Sequence, residues 1–462
     1  MNIQMKMKRT WMAVPLSVAL LVPGAGVASA AGHEGHSMNH SGNMKMSAEV
    51  SNPAIDLRAN LDAILSEHAY LAVVAMQKGI DGKEDFDAAA AQLNENTEAL
   101  SAAVGSVYGE EAGNAFKEIW GSHIGYFVDY VKATAAKDED GKMQAKKELD
   151  EYRSEQAQFL DKATGGRLKA KDLEEGLKMH VNELITAFDS YTEKDYDTTY
   201  STVRESIKHM YGVGKALSWA ITDQFPDKFE GKSVDTPAAN LRADLNYLFS
   251  EHAALAALAM QKGIDGTEDF DEAAAALNEN TNDLSASVAS VYGKEGGEQY
   301  KKIWNSHIGY LVDYVKATGA KDEKAKEMAL KELDEYRAEQ AKFLDTATEG
   351  RLKAADLEKG LEVHIDQLLN AFNSYNEKDY DMAYDSIHEA YNHMFGVGLG
   401  VSGAIVDQYP DKFMGKMPTE MPKTGMGGTS ETGNSSLIWM SVSGFILALA
   451  AIATIVRKRR LN

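Results

Sequence analysis

The chain has 462 residues, a formal net charge of −22 and no cysteine. The acidic balance argues against nucleic acid as a partner, and the missing cysteine excludes disulfides, thiolate metal sites, c-type haem attachment and a lipoprotein anchor. With only 8 prolines and abundant Ala, Glu, Lys and Leu, the body is expected to be all-α.

Residues 1–30 read as a secretory signal peptide. Lys6, Lys8 and Arg9 form its basic segment, and an apolar run broken by Pro23 and Gly24 ends in the cleavage site Ala28-Ser29-Ala30. The mature chain then starts at Ala31 with a flexible segment, residues 31–50. It gathers His33, His36, His40, Met38, Met44 and Met46 with almost nothing apolar around them, which is the composition of a metal-binding tail. Imidazole suits Cu(II), Zn(II) and Ni(II), and thioether adds a preference for Cu(I). After cleavage His33 is the third residue, so the free amine, two amides and the imidazole make a square-planar set for Cu(II) or Ni(II). The tail resembles the His/Met-rich segments of bacterial extracytoplasmic copper-handling proteins.

The body is a tandem repeat, residues 51–232 and 237–416, at a constant offset with no gap. SEHAYLAVVAMQKGIDG returns as SEHAALAALAMQKGIDG, and IWGSHIGYFVDYVKAT returns as IWNSHIGYLVDYVKAT. The linker SVDTPAAN carries Pro237, and two similar helical-bundle domains are expected on either side of it. Each repeat reads as three hairpins, about six helices. A histidine (His68, His123, His180) marks the middle of each odd helix, and an acidic pair (Asp85/Asp87, Asp138/Asp140, Asp195/Asp197) stands where the next helix starts. The breakers Gly109, Gly165 and Gly166 separate the hairpins, and the GID-G segments read as hairpin ends.

Of 12 histidines, eight form four matched pairs: His68/His252, His123/His307, His180/His364 and His209/His393. Only His388 is unmatched in the body, and Arg204 holds its place in the first repeat. At ~1.5 Å rise per residue the distances to the turns bring the four histidines of a repeat to one level. Glu205 and Glu389 share the helix face of His209 and His393 at i, i+4. Glu151 and Glu155, with Glu335 and Glu339 in the second repeat, and Met210/Met394 fall near that level too. Such a set can hold copper or zinc. The competing expectation is a core of neutral histidines bonded to Tyr, Asp or backbone, in a structural or adhesive module. Glu118, Glu183 and Asp189 differ between the repeats (Lys302, Gln367, Asn373) and read as surface acids. The stripe Trp120, Tyr126, Phe127, Tyr130 reads as core packing.

Di-iron Glu-x-x-His pairs and HExxH are absent. Iron as a b-type haem between facing histidines is a further alternative, with Gly125, Gly212 and Gly214 giving room. No catalytic triad or phosphate loop is recognisable, so no reaction is assigned.

After a linker, residues 417–436, an apolar run over 437–456 is long enough to span a membrane as a helix, and residues 457–462 form a basic tail. Met421-Pro422-Lys423-Thr424-Gly425 resembles the LPXTG sorting signal of Gram-positive surface proteins, with Met421 in place of Leu. The resemblance implies cleavage between Thr424 and Gly425 by sortase and attachment to peptidoglycan, or a membrane anchor where sorting does not occur. The repeats are similar to secreted bacterial helical domains of unknown function, some with copper-related names. Together these readings lead to the expectation of an extracellular, cell-wall-anchored protein that binds or sequesters copper.

Overall fold

A computed structural model describes residues 48–414. The expected signal peptide, the candidate tail ligands His33, His36, His40, Met38, Met44 and Met46, the expected sorting motif 421–425, the expected span 437–456 and the basic tail lie outside the described residues. Among the described residues no helix is long and apolar enough to cross a membrane.

The all-α expectation holds. Repeat 1 contains α1 (Pro53–Asp81), α2 (Phe86–Tyr108), α3 (Glu110–Ala136), α4 (Glu139–Ala163), α5 (Ala170–Glu193) and α6 (Tyr196–Gln224), followed by a short 3-10 turn. Repeat 2 contains α7 (Pro237–Asp265), α8 (Phe270–Ala320), α9 (Glu323–Ala347), α10 (Ala354–Asn376), α11 (Tyr380–Gln408) and the short α12 (Pro410–Phe413). The helix α8 covers the counterparts of both α2 and α3. Gly293, at φ 82°, stands at its kink where Gly109, at φ 94°, separates the two helices of repeat 1.

Local chemistry sets the boundaries. Asn52 caps α1 by accepting from the amides of Ala54 and Ile55, with Pro53 in the first turn. Asp138 and Asp195 cap α4 and α6 through the amides of Gly141 and Thr198. The acidic pairs are therefore helix starts. The GID-G segment ends α1, with Gly82 in the left-handed conformation at φ 60°. Lys137 and Lys194 close α3 and α5 in the same conformation at φ 56° and 62°.

Helix α1 is buried nearly all round, and so is α7, so both are enclosed on every side, even though α1 carries charged residues such as Arg58, Asp62, Glu67 and Lys78. Each packs against the other helices of its own repeat and against the other repeat: α1 meets α7 and α11, and α6 meets α7 and α8. The two repeats accordingly belong to one compact unit. Their contacts come in reciprocal pairs. Lys78 binds Asp85 at 2.8 Å and donates to the Tyr375 hydroxyl at 2.7 Å. Lys262 binds Asp269 at 2.8 Å and donates to the Tyr191 hydroxyl at 3.1 Å. Tyr391 donates to Ser66 at 2.7 Å, and Tyr211 pairs with Ser250 at 2.9 Å.

One pair is chemically uneven. Arg204 of α6 binds the buried Glu251 at 3.0 Å, whereas the unmatched His388 of α11 binds the buried Glu67 at 2.6 Å. Burial opposes charge on His388, but the Glu67 carboxylate outweighs it and raises the imidazole above its usual value. A raised folded value means that this contact stabilises fully below about pH 6.5 and fades as pH rises through the folded value. His388→Arg, the residue of repeat 1 at this place, should therefore add about 1–2 kcal/mol in urea unfolding at pH 8.5 and little at pH 5.5. An equal effect at both pH values would remove the protonation argument.

Candidate metal centre

The register of each bundle follows from its hairpin lengths. His68 precedes Gly82, His123 precedes Lys137, and His180 precedes Lys194 by the same number of residues, and those three are the left-handed closing residues of the odd helices. His252, His307 and His364 stand in the same relation to Gly266, Lys321 and Lys378. Parallel helices of equal run from a common end of the bundle bring their histidines level.

The result is two triads. His68, His123 and His180 in repeat 1, and His252, His307 and His364 in repeat 2, each offer one ring nitrogen, all within 4.8 Å of one another. His68 and His123 are 0 % exposed and His180 is 2 % exposed. His68 Nε2 lies 3.3 Å from His123 Nε2, and His252 Nε2 lies 3.4 Å from His307 Nε2. Two ligand nitrogens on one tetrahedral ion at a bond length of about 2.0–2.1 Å are separated by about 3.3–3.4 Å. These triads could hold a metal ion.

The surroundings fix the ring states. His123 Nδ1 makes a short contact with the Trp120 carbonyl. A carbonyl only accepts, so Nδ1 carries the proton and Nε2 presents its lone pair to the centre. Trp120 packs at 4.8 Å against both His68 and His123, and Tyr152 stacks on His123 at 4.6 Å. Burial pushes His68, His180 and His252 well below the usual histidine value. It lowers His123 and His307 to about 4 and His364 to about 3. Neutral imidazole is the form that ligates.

Several buried nitrogens have no hydrogen-bond partner: His68 Nδ1, both ring nitrogens of His180, and both of His364. An orphaned buried polar group costs about 1–3 kcal/mol. The Tyr, Asp and backbone partners expected for a purely structural histidine core serve only part of this set.

The fourth histidine stands outside the triad. His209 is 7 % exposed, and its Nδ1 lies 3.0 and 3.1 Å from the two carboxylate oxygens of Glu183. Its Nε2 is buried without a partner. His393 stacks parallel to His364 with ring centres 6.4 Å apart, and its Nε2 is likewise buried and unpaired. Glu183, read from the sequence as a surface acid, is thus the partner of His209. Asp189 accepts from the Tyr130 hydroxyl at 2.9 Å, so it too has a structural partner.

Glu205 and Glu389 are corrected: both are exposed and take no part in the triads. Glu151, Glu155, Glu335 and Glu339 are exposed as well. Each return helix instead turns the neighbouring residues inward, Tyr152 and Gln156 on α4 and Tyr336 and Gln340 on α9. Sequence reasoning missed them. The signal was the spacing of Ala145, Leu149, Tyr152 and Gln156, which continues one helix face. Met210 is buried and lines an apolar cavity of about 70 Å³ that also touches Trp120, Gln156 and His180. The room expected from Gly214 is already used, because a Cβ there would collide with the buried Asp62 carboxylate.

No protein-family model matches the chain, and no curated protein or solved structure matches it significantly.

The depressed values carry a signed expectation for the metal-free protein. Between pH 6.5 and about 4, unfolded chains bind protons that the buried histidines refuse, so stability is full above pH 6.5 and declines below it. Each such histidine contributes up to about 1.4 kcal/mol per pH unit. Denaturant unfolding at pH 7.5, 6.0 and 5.0 should show this loss, and His123→Phe should reduce its slope. A slope that ignores the substitution would mean that His123 is not held neutral.

Proposed function

We propose that the protein binds transition-metal ions, copper first among them, at the bacterial cell surface, and holds one ion in each bundle. The observation that carries the reading is the convergence of three buried imidazoles per repeat, with ligand nitrogens within 4.8 Å and several of them unpaired. An all-imidazole set with thioether close by suits copper, and also zinc. The His/Met tail at 31–50 supports the same reading as a capture segment. The signal peptide, the MPKTG motif and the span 437–456 support export followed by attachment to peptidoglycan through sortase, or retention in the membrane. Sequestration or hand-over of ions outside the cell is the activity that follows, with no bond made or broken in a substrate.

Haem fits this arrangement less well than an ion does. Three ring nitrogens gathered around a point, with Trp120 4.8 Å from two of the rings, leave no flat slot between any two of them.

The test is metal retention. The full chain with His33, His36 and His40 replaced by Asn, exposed to Cu(I), Cu(II) or Zn(II) and desalted, should keep about two ions. His180→Leu and His364→Leu should each remove one. The same substitutions should stabilise the metal-free protein by about 1–3 kcal/mol, because each replaces unpaired polar atoms by an apolar group of similar size. Full retention by the double variant would sink the bundle-site reading, and no retention by the parent would leave the repeats as a structural module.

A further inference from the structure

The two triads are alike in geometry, but the side chains behind them differ in charge. In repeat 1 the Glu183 carboxylate bonds His209 Nδ1 at 3.0 and 3.1 Å. A carboxylate only accepts, so Nδ1 carries the proton, while Nε2 is buried and unpaired. A carboxylate behind an imidazole is the usual backing of a histidine that ligates a metal, and it raises the basicity of the ring. In repeat 2 Gln367 stands in the place of Glu183, its Oε1 buried without a partner, and His393 bonds the Gly360 carbonyl instead. The carboxylates next to the triad histidines differ in the same direction, because a guanidinium is always charged and an imidazole is not. Glu67, next to His68, is paired with His388, and Glu251, next to His252, is paired with Arg204.

Three neutral imidazoles leave the full charge of a bound ion in an apolar bundle, and uncompensated buried charge is costly. A divalent ion in repeat 1 has one negative charge a helical turn from one of its ligands, His180, on α5. The same ion in repeat 2 has none at that place. A monovalent ion demands less compensation in either.

Resting on the metal-binding reading above, we infer that the two centres are unequal. The repeat 1 centre is the divalent-ion site, and the repeat 2 centre takes divalent ions more weakly and is relatively suited to Cu(I). Glu183 is the positioning residue that separates them. A unit charge at this range is worth about 10–100-fold in the affinity for a divalent ion, and this sets the expected difference.

The experiment uses the full chain with His33, His36 and His40 replaced by Asn, one centre silenced at a time by His180→Leu or His364→Leu. Co(II) binding is followed by its visible absorption, and Cu(I) binding by competition with a chromophoric chelator. The repeat 1 centre should bind Co(II) about 10–100-fold more tightly than the repeat 2 centre. Glu183→Gln should remove most of that difference, Glu183→Asp should restore part of it, and Gln367→Glu should strengthen repeat 2. Cu(I) affinities should move much less, which general damage to the bundle would not produce. Equal Co(II) affinities, or Co(II) and Cu(I) falling together in Glu183→Gln, would overturn the inequality while leaving metal binding intact. No uptake of either ion by either centre would overturn the metal reading itself, and the inference with it.

Discussion

An unpaired imidazole nitrogen inside an apolar bundle is the constraint around which this structure is arranged. A bundle can absorb one such group at modest cost. Three at one point, with no hydrogen-bond partner for several of their nitrogens, concentrate that cost in the interior of the bundle. The packing does nothing to relieve it. Trp120 and Tyr152 cover the rings with aromatic faces, and the polar atoms of Trp120 Nε1, Tyr152 Oη and Gln156 are themselves unpaired. The fold keeps neutral imidazole nitrogens in a dry place, and on the metal-binding reading a cation would take up one nitrogen of each ring.

The same helix that supplies the first ligand also joins the repeats. On α1, Ser66 accepts from Tyr391, Glu67 binds His388, and His68 enters the triad. On α7, Ser250, Glu251 and His252 make the matching three contacts with Tyr211, Arg204 and the second triad. Successive side chains on a helix point about 100° apart, so three adjacent residues can serve three different surroundings only on a helix enclosed all round. That is why α1 and α7 lack the exposed face of an ordinary surface helix. It also means that anything shifting the ring of His68 acts on a backbone that carries Glu67 across to the other repeat. The two triads stand on α1 and α7, which touch each other and carry the ion pairs between the repeats.

Most of the fold was legible because its signals are local. Capping carboxylates, left-handed closing residues and equal helix runs are each written in a few adjacent positions, and together they place six histidines at two levels. The parts that were not legible depend on rotation about a helix axis or on contacts between distant segments. Level alone could not say that α4 turns Tyr152 and Gln156 inward and leaves Glu151 and Glu155 outside. It also could not show that His209 sits one step away from the triad, held by an acid 26 positions earlier. The reciprocal packing of the repeats was hidden for another reason. Lys78, Asp85, Lys262 and Asp269 are buried only because the other repeat covers them, and charged residues on a sequence otherwise read as solvent-facing.

Where the repeats differ, shape is kept and charge is changed. Asp62 in repeat 1 answers to Asn246 in repeat 2, Glu183 to Gln367, and Asp189 to Asn373. Each is a carboxylate facing an amide of nearly the same size, and the contacts survive at two of the three places, the exception being Gln367. Tyr130 donates to Asp189 at 2.9 Å and Tyr314 donates to Asn373 at 3.1 Å. The close approach of Gly214 to Asp62 is repeated by Gly398 at Asn246. Buried Asp62, pushed to about 7 by burial against the pull of Arg58, shows how strongly this interior resists a negative charge. Amides at these three places make repeat 2 the less negative copy of one geometry. Packing sets where the imidazoles stand, and the acid-to-amide exchanges set the field they stand in. On the metal-binding reading, a tandem fold with matched triads would in this way offer two sites of the same shape with different demands on the charge of their ions.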